Sequence, residues 1–338
     1  MEGLFVLGLA GKKLIIIISI IILLSVGIGS WFITGTYFPD STQGKVFVMY
    51  AGSLVKTFET ELGPSFQRET GYTYVGEGKG SLQLSNMITD QQRNPDIFVS
   101  ADTVPIEKLM NHNPPLAHWL VKFASAEIVI AYTPNSPFFN DLEKARKGEI
   151  PWYEVLSEDG LMFRRTDPEL DPKGYYMIIV AELANIFYND PTIKHEILGE
   201  DRNPKQLLPE ETLMTSLESG QIDAAEAYKH EAVARNLPYI SLPREINLSD
   251  PEFKSFYNQA SYTLSTGQTV AGETIYFSVT IPNTSKDIDG SVAFIKFLFS
   301  ETGKSILERN GLNPIKAIAE GDIEMMPSCI TGIVGGKH

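Results

Sequence analysis

Apolar and polar positions along this chain follow two alternating periods from residue 45 onwards. Short continuous apolar runs predict buried strands, and most of them are followed by a stretch with the period of an amphipathic helix. The predicted strands are 45–50, 72–75, 95–100, 127–132, 161–165, 222–228, 239–242, 261–264 and 273–281. The predicted helices are 54–62, 81–93, 104–112, 142–148, 152–156, 175–188, 211–219, 229–235, 288–299 and 301–310. This alternation predicts an α/β protein with open, mainly parallel sheets that are covered by helices.

The turn between the first strand and the first helix carries Gly52 and Ser53. Backbone N–H groups and the positive end of a helix dipole converge on such a turn, and glycine lets a ligand approach the backbone closely. A similar turn, residues 76–80, follows the next strand, and Ser81 is predicted to cap the helix after it. The pair of turns favours an oxyanion site. Because serine is among the commonest N-cap residues, two ordinary helix caps are the alternative.

A third candidate for ligand binding is the loop that precedes the strongly apolar helix in the middle of the chain. Asp171-Pro172 lies directly before this helix, so Asp171 is its predicted N-cap, and the N–H groups of Lys173 and Gly174 are expected to face a ligand. A capped helix after a surface loop accounts for the same residues without a ligand. Tyr228 ends a predicted strand, where its phenol either donates to an oxyanion or belongs to the core.

The N-terminal segment predicts a membrane anchor. Residues 14–33 carry no charge, and about 20 apolar residues match the hydrocarbon thickness of a bilayer. Lys12 and Lys13 precede this run and Asp40 is the first charge after it, which leaves the N-terminus in the cytoplasm. We expect residues 1–44 to form a cytoplasmic stub, a single-pass anchor and a spacer, with the bulk of the chain outside the cell. A cleaved signal peptide is the alternative.

Charge and composition exclude several classes of protein. The formal net charge of −14 argues against a nucleic-acid partner, so an anion site must rely on local N–H groups and dipoles. Cys329 is the only cysteine, and no intrachain disulfide can form. The five histidines show no metal-ligand spacing, and the nucleophile elbow, Walker loop and Rossmann fingerprint are missing from the sequence. The sequence therefore indicates a binding protein without a cofactor.

Several motifs taken together resemble a known family. They are Ala51-Gly-Ser-Leu54, Asp96-Ile-Phe-Val-Ser-Ala-Asp102, Ile130-Ala-Tyr-Thr-Pro-Asn-Ser-Pro137, Thr166-Asp-Pro-x-x-Asp-Pro-x-Gly-Tyr175, Leu217-Glu-Ser-Gly-x-x-Asp223, Tyr228-Lys229, Leu242-Pro-x-Glu-Ile-Asn-Leu248 and Phe297-Leu-Phe-Ser-Glu-Thr-Gly303. Over nearly all of residues 45–315 the chain is similar to periplasmic-type oxyanion-binding proteins. It resembles most the molybdate/tungstate-binding subfamily of archaeal ATP-binding-cassette (ABC) importers.

The resemblance implies a class II periplasmic-binding-protein fold, in which an anion lies between two α/β lobes. Residues 45–127 and 281–338 would form lobe 1, and residues 128–280 would form lobe 2. The crossing segments are expected near Ala126–Tyr132 and Gly272–Pro282. The resemblance further implies a monomer that takes molybdate or tungstate as its ligand and an ABC permease in the membrane as its partner.

The resemblance also implies the site residues. In the subfamily the metal of the oxyanion is bonded to oxo groups and to two carboxylate oxygens. The carboxylates map onto Asp171 and Glu210, with Glu211 as the alternative to the second. The remaining ligand-binding positions map onto Gly52, Ser53, Ser81, Pro172, Lys173 and Tyr228.

Two departures from the family pattern leave the coordination open. The family's Glu-Ala-Ala-Gly-Ser is Glu77-Gly-Lys-Gly-Ser81 here, and its Gly-Tyr-Arg is Gly174-Tyr-Tyr176, which loses a cation that Lys79 would replace in part. Tetrahedral binding by N–H and hydroxyl donors alone is therefore an alternative. Two other functions also stay open. One is a membrane-anchored extracellular hydrolase with Asp171 and Glu210 as paired carboxylates, and the other is a binding protein for sulfate, phosphate or ferric ion.

Overall fold

The computed structural model describes residues 43–334, and the predicted anchor at residues 14–33 lies outside them. The strands are β1 (Lys45–Ala51), β2 (Thr73–Lys79), β3 (Ile97–Ser100), β4 (Trp119–Ser125), β5 (Ile128–Tyr132), β6 (Phe163–Arg164), β7 (Ala224–Tyr228), β8 (Tyr239–Ser241), β9 (Ser261–Thr263), β10 (Thr269–Ala271), β11 (Tyr276–Thr280) and β12 (Asn313–Gly321). No helix in this part of the chain is long and apolar enough to cross a membrane.

The α-helices are α1 (Val55–Thr57), α2 (Gly63–Thr70), α3 (Ser81–Thr89), α4 (Val104–Met110), α5 (Phe139–Arg146), α6 (Trp152–Leu156), α7 (Pro172–Tyr188), α8 (Ile193–Leu198), α9 (Glu210–Glu218), α10 (Lys229–Ala234), α11 (Lys254–Tyr257), α12 (Ile288–Leu298), α13 (Glu301–Arg309) and α14 (Ser328–Val334). Single turns of 3₁₀ helix lie at Gly52–Leu54, Pro251–Phe253 and Ile323–Met325, and a π-helical turn at Phe58–Leu62 joins α1 to α2.

Two mixed sheets organise these elements. The larger has the strand order β12-β4-β11-β3-β1-β2, and the smaller has the order β6-β7-β5-β8. Strand β1 pairs in parallel with β2 and β3, and β6 with β7. All other neighbours in the two sheets are antiparallel. The prediction of mainly parallel sheets was therefore wrong.

The antiparallel pairs arise where the chain passes between the sheets. Strand β4 ends at Ser125, where the chain leaves the larger sheet, and β11 begins at Tyr276, directly opposite Ser125, where the chain returns. In the smaller sheet, Ile128 at the start of β5 lies opposite Tyr228 at the end of β7. Strands that enter and leave at one edge of a sheet must run in opposite directions.

The strand 276–280 belongs to the larger sheet, although the lobe boundary expected from the sequence put it in lobe 2.

Helices cover both faces of each sheet and bury the core. Side chains of α3 and α4 pack on one face of the larger sheet, and side chains of α9 pack on one face of the smaller sheet. Helix α7 lies in the largest core cluster, with twelve of its 17 residues buried. A helix that is apolar on every side is typical of such a central position. It ends at Tyr188, and Asn189 after it adopts the left-handed conformation that asparagine tolerates well.

The C-terminal part contains a strand that the sequence pattern did not predict. After α13 the chain forms β12, which pairs only with β4 at the edge of the larger sheet among the described strands. Its residues are partly exposed, and Pro314 near its start is tolerated because an edge strand leaves one row of backbone groups unpaired. The sequence pattern did not predict this strand because its apolar alternation is weak and a proline lies near its start.

Candidate functional site

The turn after β1 brings Ser53 into contact with the half of the molecule built on the smaller sheet. A Cβ atom at Gly52 would lie 2.3 Å from Cγ of Glu210, so only glycine lets this turn touch the start of α9. The carbonyl of Ser53 accepts a hydrogen bond from Nε2 of His230 at 3.3 Å. The Ser53 hydroxyl is buried and has no hydrogen-bond partner within the described chain.

The second turn differs from the expectation at one residue. Gly80, in an extended conformation, is the N-cap of α3, and Ser81 is the first residue of the helix instead of its cap. The Ser81 hydroxyl accepts the N–H of Ala101 at 3.1 Å, so it is tied to the neighbouring strand end. A Cβ atom at Gly80 would lie 2.5 Å from the carbonyl oxygen of Leu170. The start of α3 therefore packs directly on the loop that leads to Asp171.

Asp171 caps α7, as the sequence predicts. Its Oδ1 accepts the backbone N–H of Lys173 at 3.0 Å and lies 3.3 Å from the hydroxyl of Thr166. The N–H of Gly174 is bonded to the carbonyl of Asp171 at 3.2 Å. Both N–H groups that were expected to face a ligand thus bond within the cap. Pro172 is the buried first residue of the helix, where its fixed φ fits and no N–H is needed.

The side chain of Lys173 is fully buried between two glutamates. Its Nζ lies 2.9 Å from Oε2 of Glu210 and donates to both carboxylate oxygens of Glu231, at 3.0 and 2.8 Å. It also lies 5.6 Å from the centre of the Tyr228 ring. One ammonium group therefore joins the first turns of α7, α9 and α10.

The structure places the two candidate glutamates in different environments. Glu210 is the first residue of α9, and its side chain is buried beside Lys173 and Gly52. Glu211 is partly exposed and forms an ion pair with Lys79 at 2.8 Å. Lys79, which was expected to replace a missing cation in part, is thus paired with Glu211 and not with the buried carboxyl groups. Of the two glutamates, Glu210 is the one next to the other predicted site residues.

Tyr228 lies at the carboxyl end of β7 with its ring fully buried. The ring stacks on His230, with centroids 5.7 Å apart, and the hydroxyl has no hydrogen-bond partner among residues 43–334. The backbone N–H of Tyr228 donates to Glu231 at 2.9 Å. The phenol is thus both part of the core and a free polar group beside the predicted ligand residues.

Burial shapes the electrostatics of this cluster. It raises the pKa of Asp171 to about 6, the pKa of Glu226 to about 7, and the pKa of Glu210 well above its ordinary value. Burial alone would lower the pKa of Lys173, but the carboxylates of Glu210 and Glu231 outweigh it and raise that pKa. Although burial opposes ionisation of Glu231 too, Lys173 lowers its pKa.

Three acidic residues of the site were missed from the sequence. Glu226 accepts the hydroxyl of Thr166 at 2.7 Å and so supports the residue beside Asp171. Glu231 holds Lys173, and Asp102 accepts the hydroxyl of Tyr175. Asp102 belongs to a motif that carried the family resemblance, so that motif was a signal for it. Nothing local marks Glu226, whose partner Thr166 is 60 residues away. Glu231 had a local signal, because it is the third residue of α10 and accepts the backbone N–H of Tyr228 at the N-cap.

A cleft of about 410 Å³ opens beside these residues. Gly80 and Gln83 line it from the start of α3, and Thr166, Asp171 and Glu210 line it from the half built on the smaller sheet. Within the described residues, no group of three or more His, Cys, Asp or Glu side chains is arranged to hold a metal ion. The cleft instead brings the carboxyl groups of Asp171 and Glu210 together with the buried hydroxyl of Thr166, and its walls come from both halves of the molecule.

Comparison with known proteins identifies the class. The chain belongs to the family of bacterial extracellular solute-binding proteins, whose model matches residues 46–313. It is 32% identical over 314 residues to an uncharacterized solute-binding protein of Petrotoga mobilis, covering 90% of this chain and 95% of the relative. It is 34% identical over 292 residues to the molybdate/tungstate-binding protein WtpA of Pyrococcus abyssi, covering 79% of this chain and 83% of the relative. The family inferred from the motifs is confirmed.

A solved structure supports the fold. The periplasmic molybdate-binding protein of Azotobacter vinelandii matches 79% of this chain and 98% of its own, with a TM-score of 0.57 and 16% identity. This likeness shows that the chain has the fold of the periplasmic binding proteins.

Proposed function

We propose that this chain captures molybdate or tungstate outside the cell and delivers it to the permease of an ABC importer. Relatives named as molybdate/tungstate-binding proteins, in Pyrococcus abyssi and in Thermococcus kodakarensis at 33% identity, support this ligand. Binding and release without chemical turnover fit a family of solute-binding proteins. The ligand lies between two lobes of a class II binding protein, which close over it.

The observation that carries the proposal is a pair of buried hydroxyls without partners, on residues that adjoin the Lys173–Glu210 cluster. The hydroxyls of Ser53 and Tyr228 are buried and have no partner within residues 43–334. Ser53 follows Gly52, which touches Glu210, and the ring of Tyr228 lies 5.6 Å from Nζ of Lys173. A buried polar group without a partner costs free energy, about 1–3 kcal/mol. Hydroxyl donors suit a fully ionised dianion, because they bond to its oxygens without needing a further proton. A bound oxyanion would satisfy both groups.

The two carboxylates give the site its chemical selectivity. Asp171 and Glu210 beside a dianion are repulsive unless they bond to the metal of the anion. Molybdenum(VI) and tungsten(VI) are hard acids that accept carboxylate oxygen as a further ligand. The sulfur of sulfate does not readily expand its coordination in this way. The carboxylates therefore attract molybdate and tungstate and repel sulfate and phosphate.

Calorimetry with molybdate, tungstate, sulfate and phosphate tests the proposal. We expect molybdate and tungstate to bind with dissociation constants of about 1 nM to 1 μM, and sulfate and phosphate to bind far more weakly. Equal binding of all four anions, or of none, would exclude the proposed function. Incubation with phosphate-ester and glycoside substrates tests the rival hydrolase, and steady turnover there would favour it.

We also propose that residues 14–33 hold the protein at the outer face of the membrane. The uncharged run flanked by Lys12 and Lys13 supports this arrangement. Cell fractionation of the full chain and of a chain that begins at residue 43 separates the alternatives. Recovery of the full-length, uncleaved chain in the soluble fraction would argue against an anchor.

A further inference from the structure

The ammonium group of Lys173 has no donor left for a ligand. It is fully buried, and its hydrogen bonds go to Glu210 at 3.2 Å and to the two oxygens of Glu231 at 3.0 and 2.8 Å. Glu210 Oε2 lies at 2.9 Å as well, so four carboxylate oxygens surround an ammonium group that has three N–H donors. Lys173 must therefore act on a bound anion through the glutamates and not by direct contact.

Lys173 also balances an excess of buried acids. Four buried carboxyl groups interact electrostatically with it, namely those of Glu210, Glu231, Asp171 and Glu226. Within the described chain, Lys173 is the only cation that forms an ion pair with Glu210 or Glu231. A buried carboxylate without a partner is strongly unfavourable, and a dianion beside it would add repulsion.

We propose that Lys173 sets the charge of the binding site: its ammonium group offsets one of the negative charges of the Glu210–Glu231 pair, so that the cleft admits a doubly charged oxyanion. This inference rests on the proposed function. It adds the residue that decides which ligand charge the binding site accepts. Lys173 is a positioning residue, because its ion pairs also hold Glu210 against Gly52 at the edge of the cleft. Lys79, which pairs with the more exposed Glu211, has no such role.

The test compares four proteins: the wild type, Lys173→Met, the double variant Lys173→Met/Glu231→Gln, and Lys79→Met as the matched control. Tungstate affinity is measured by calorimetry, and perrhenate, a tetrahedral anion with one charge, is measured alongside it. We expect Lys173→Met to lose about 100-fold in tungstate affinity and less in perrhenate affinity, because excess negative charge repels a dianion more strongly. The double variant removes one charge of each sign and should regain most of the loss. Lys79→Met should stay within about threefold of the wild type.

Three results would overturn the inference. They are wild-type tungstate affinity in folded Lys173→Met, equal losses of affinity for tungstate and perrhenate, and a double variant that binds tungstate no better than the single one.

Unfolding temperatures without ligand separate this inference from the proposed function. If the wild type binds neither tungstate nor molybdate, the proposed function fails. In that case, recovery of the unfolding temperature by Glu231→Gln in the Lys173→Met background still supports the charge role, and lack of recovery rejects it.

Discussion

Ser53 and Tyr228 bury hydroxyls that no described residue satisfies, and this predicts opposite effects on folding and on binding. Ser53→Ala and Tyr228→Phe remove a polar group but break no internal hydrogen bond. We expect the unfolding temperature without ligand to stay the same or rise. We expect tungstate binding to weaken by about 1–3 kcal/mol for each variant, the value of a hydrogen bond to a charged group. Thermal unfolding and calorimetry on the same samples measure the two effects.

Ser81→Ala is the control for these hydroxyls, because the Ser81 hydroxyl already accepts the N–H of Ala101. Its loss leaves a buried donor unpaired and should lower the unfolding temperature. If Ser53→Ala destabilised the ligand-free protein as much as Ser81→Ala does, the free hydroxyl would have a structural partner instead of a ligand.

The carboxylates of Asp171 and Glu210 make a second prediction at this scale. Asp171→Asn keeps the cap of α7, since asparagine caps as well as aspartate, and Glu210→Gln keeps the size of its side chain. Each variant should weaken tungstate binding by about tenfold or more and narrow the preference for tungstate over sulfate. Glu211→Gln, at the more exposed neighbour, should do neither. A double variant Asp171→Asn/Glu210→Gln with unchanged affinity and selectivity would show that both carboxylates are structural, with tetrahedral binding by the remaining donors.

At the scale of elements, the start of α3 meets the loop before α7 at Gly80. The three atoms nearest to a Cβ there belong to Leu170 and Asp171, on the other half of the molecule, and the backbone angles of Gly80 suit alanine. Gly80→Ala should therefore leave its own half intact and hold the two halves apart. We expect tungstate affinity to fall by about tenfold or more. Small-angle X-ray scattering should show a smaller compaction when tungstate is added.

Gly78→Ala is the matched comparison for this element. A Cβ at Gly78 would lie 2.6 Å from Val55 and 2.7 Å from Tyr50, both in the same half as Gly78. This variant should lower the unfolding temperature with and without ligand, while the compaction on binding stays normal. If Gly80→Ala gave the same pattern as Gly78→Ala, its contact would serve folding and not closure.

For the whole molecule, buried acids predict that stability falls as pH rises. Burial raises the pKa of Glu226 from 4.5 to about 7 and the pKa of Asp102 to about 6. The folded chain then holds protons that the unfolded chain has lost. The stabilisation is complete below the ordinary pKa and disappears as pH rises through the raised value. We expect the unfolding temperature of the ligand-free protein to fall between about pH 5 and 8, and less steeply in Glu226→Gln.

Glu143→Gln provides the control for this pH dependence. Hydrogen bonds from Arg146 and Tyr132 lower the pKa of Glu143 to about 2, so its contribution changes only at more acidic pH. This variant should keep the wild-type slope between about pH 5 and 8. An unchanged slope in Glu226→Gln would mean that Glu226 is ionised throughout this range.

The sequence by itself determined the features that rest on local signals. Apolar periodicity gave the alternation of strands and helices, because one face of each element must be buried. Asp171 before Pro172 marked a helix start, since a cap bonds to N–H groups two or three residues away. The glycines at 52 and 80 marked close approaches of the backbone, and motifs spread along the chain identified the family.

Only the tertiary structure decided which residues share the buried cluster and how the strands run. Lys173 meets Glu210 and Glu231 across 37 and 58 residues of chain, and no local pattern encodes such pairs. The choice of Glu210 over Glu211 as the buried neighbour depends on the packing of α9 against Gly52. The direction of each strand depends on where the chain crosses between the sheets, and the apolar periodicity of the sequence does not show these crossings. Local interactions therefore determine the helices and strands, whereas long-range packing determines which charged side chains meet in the buried cluster.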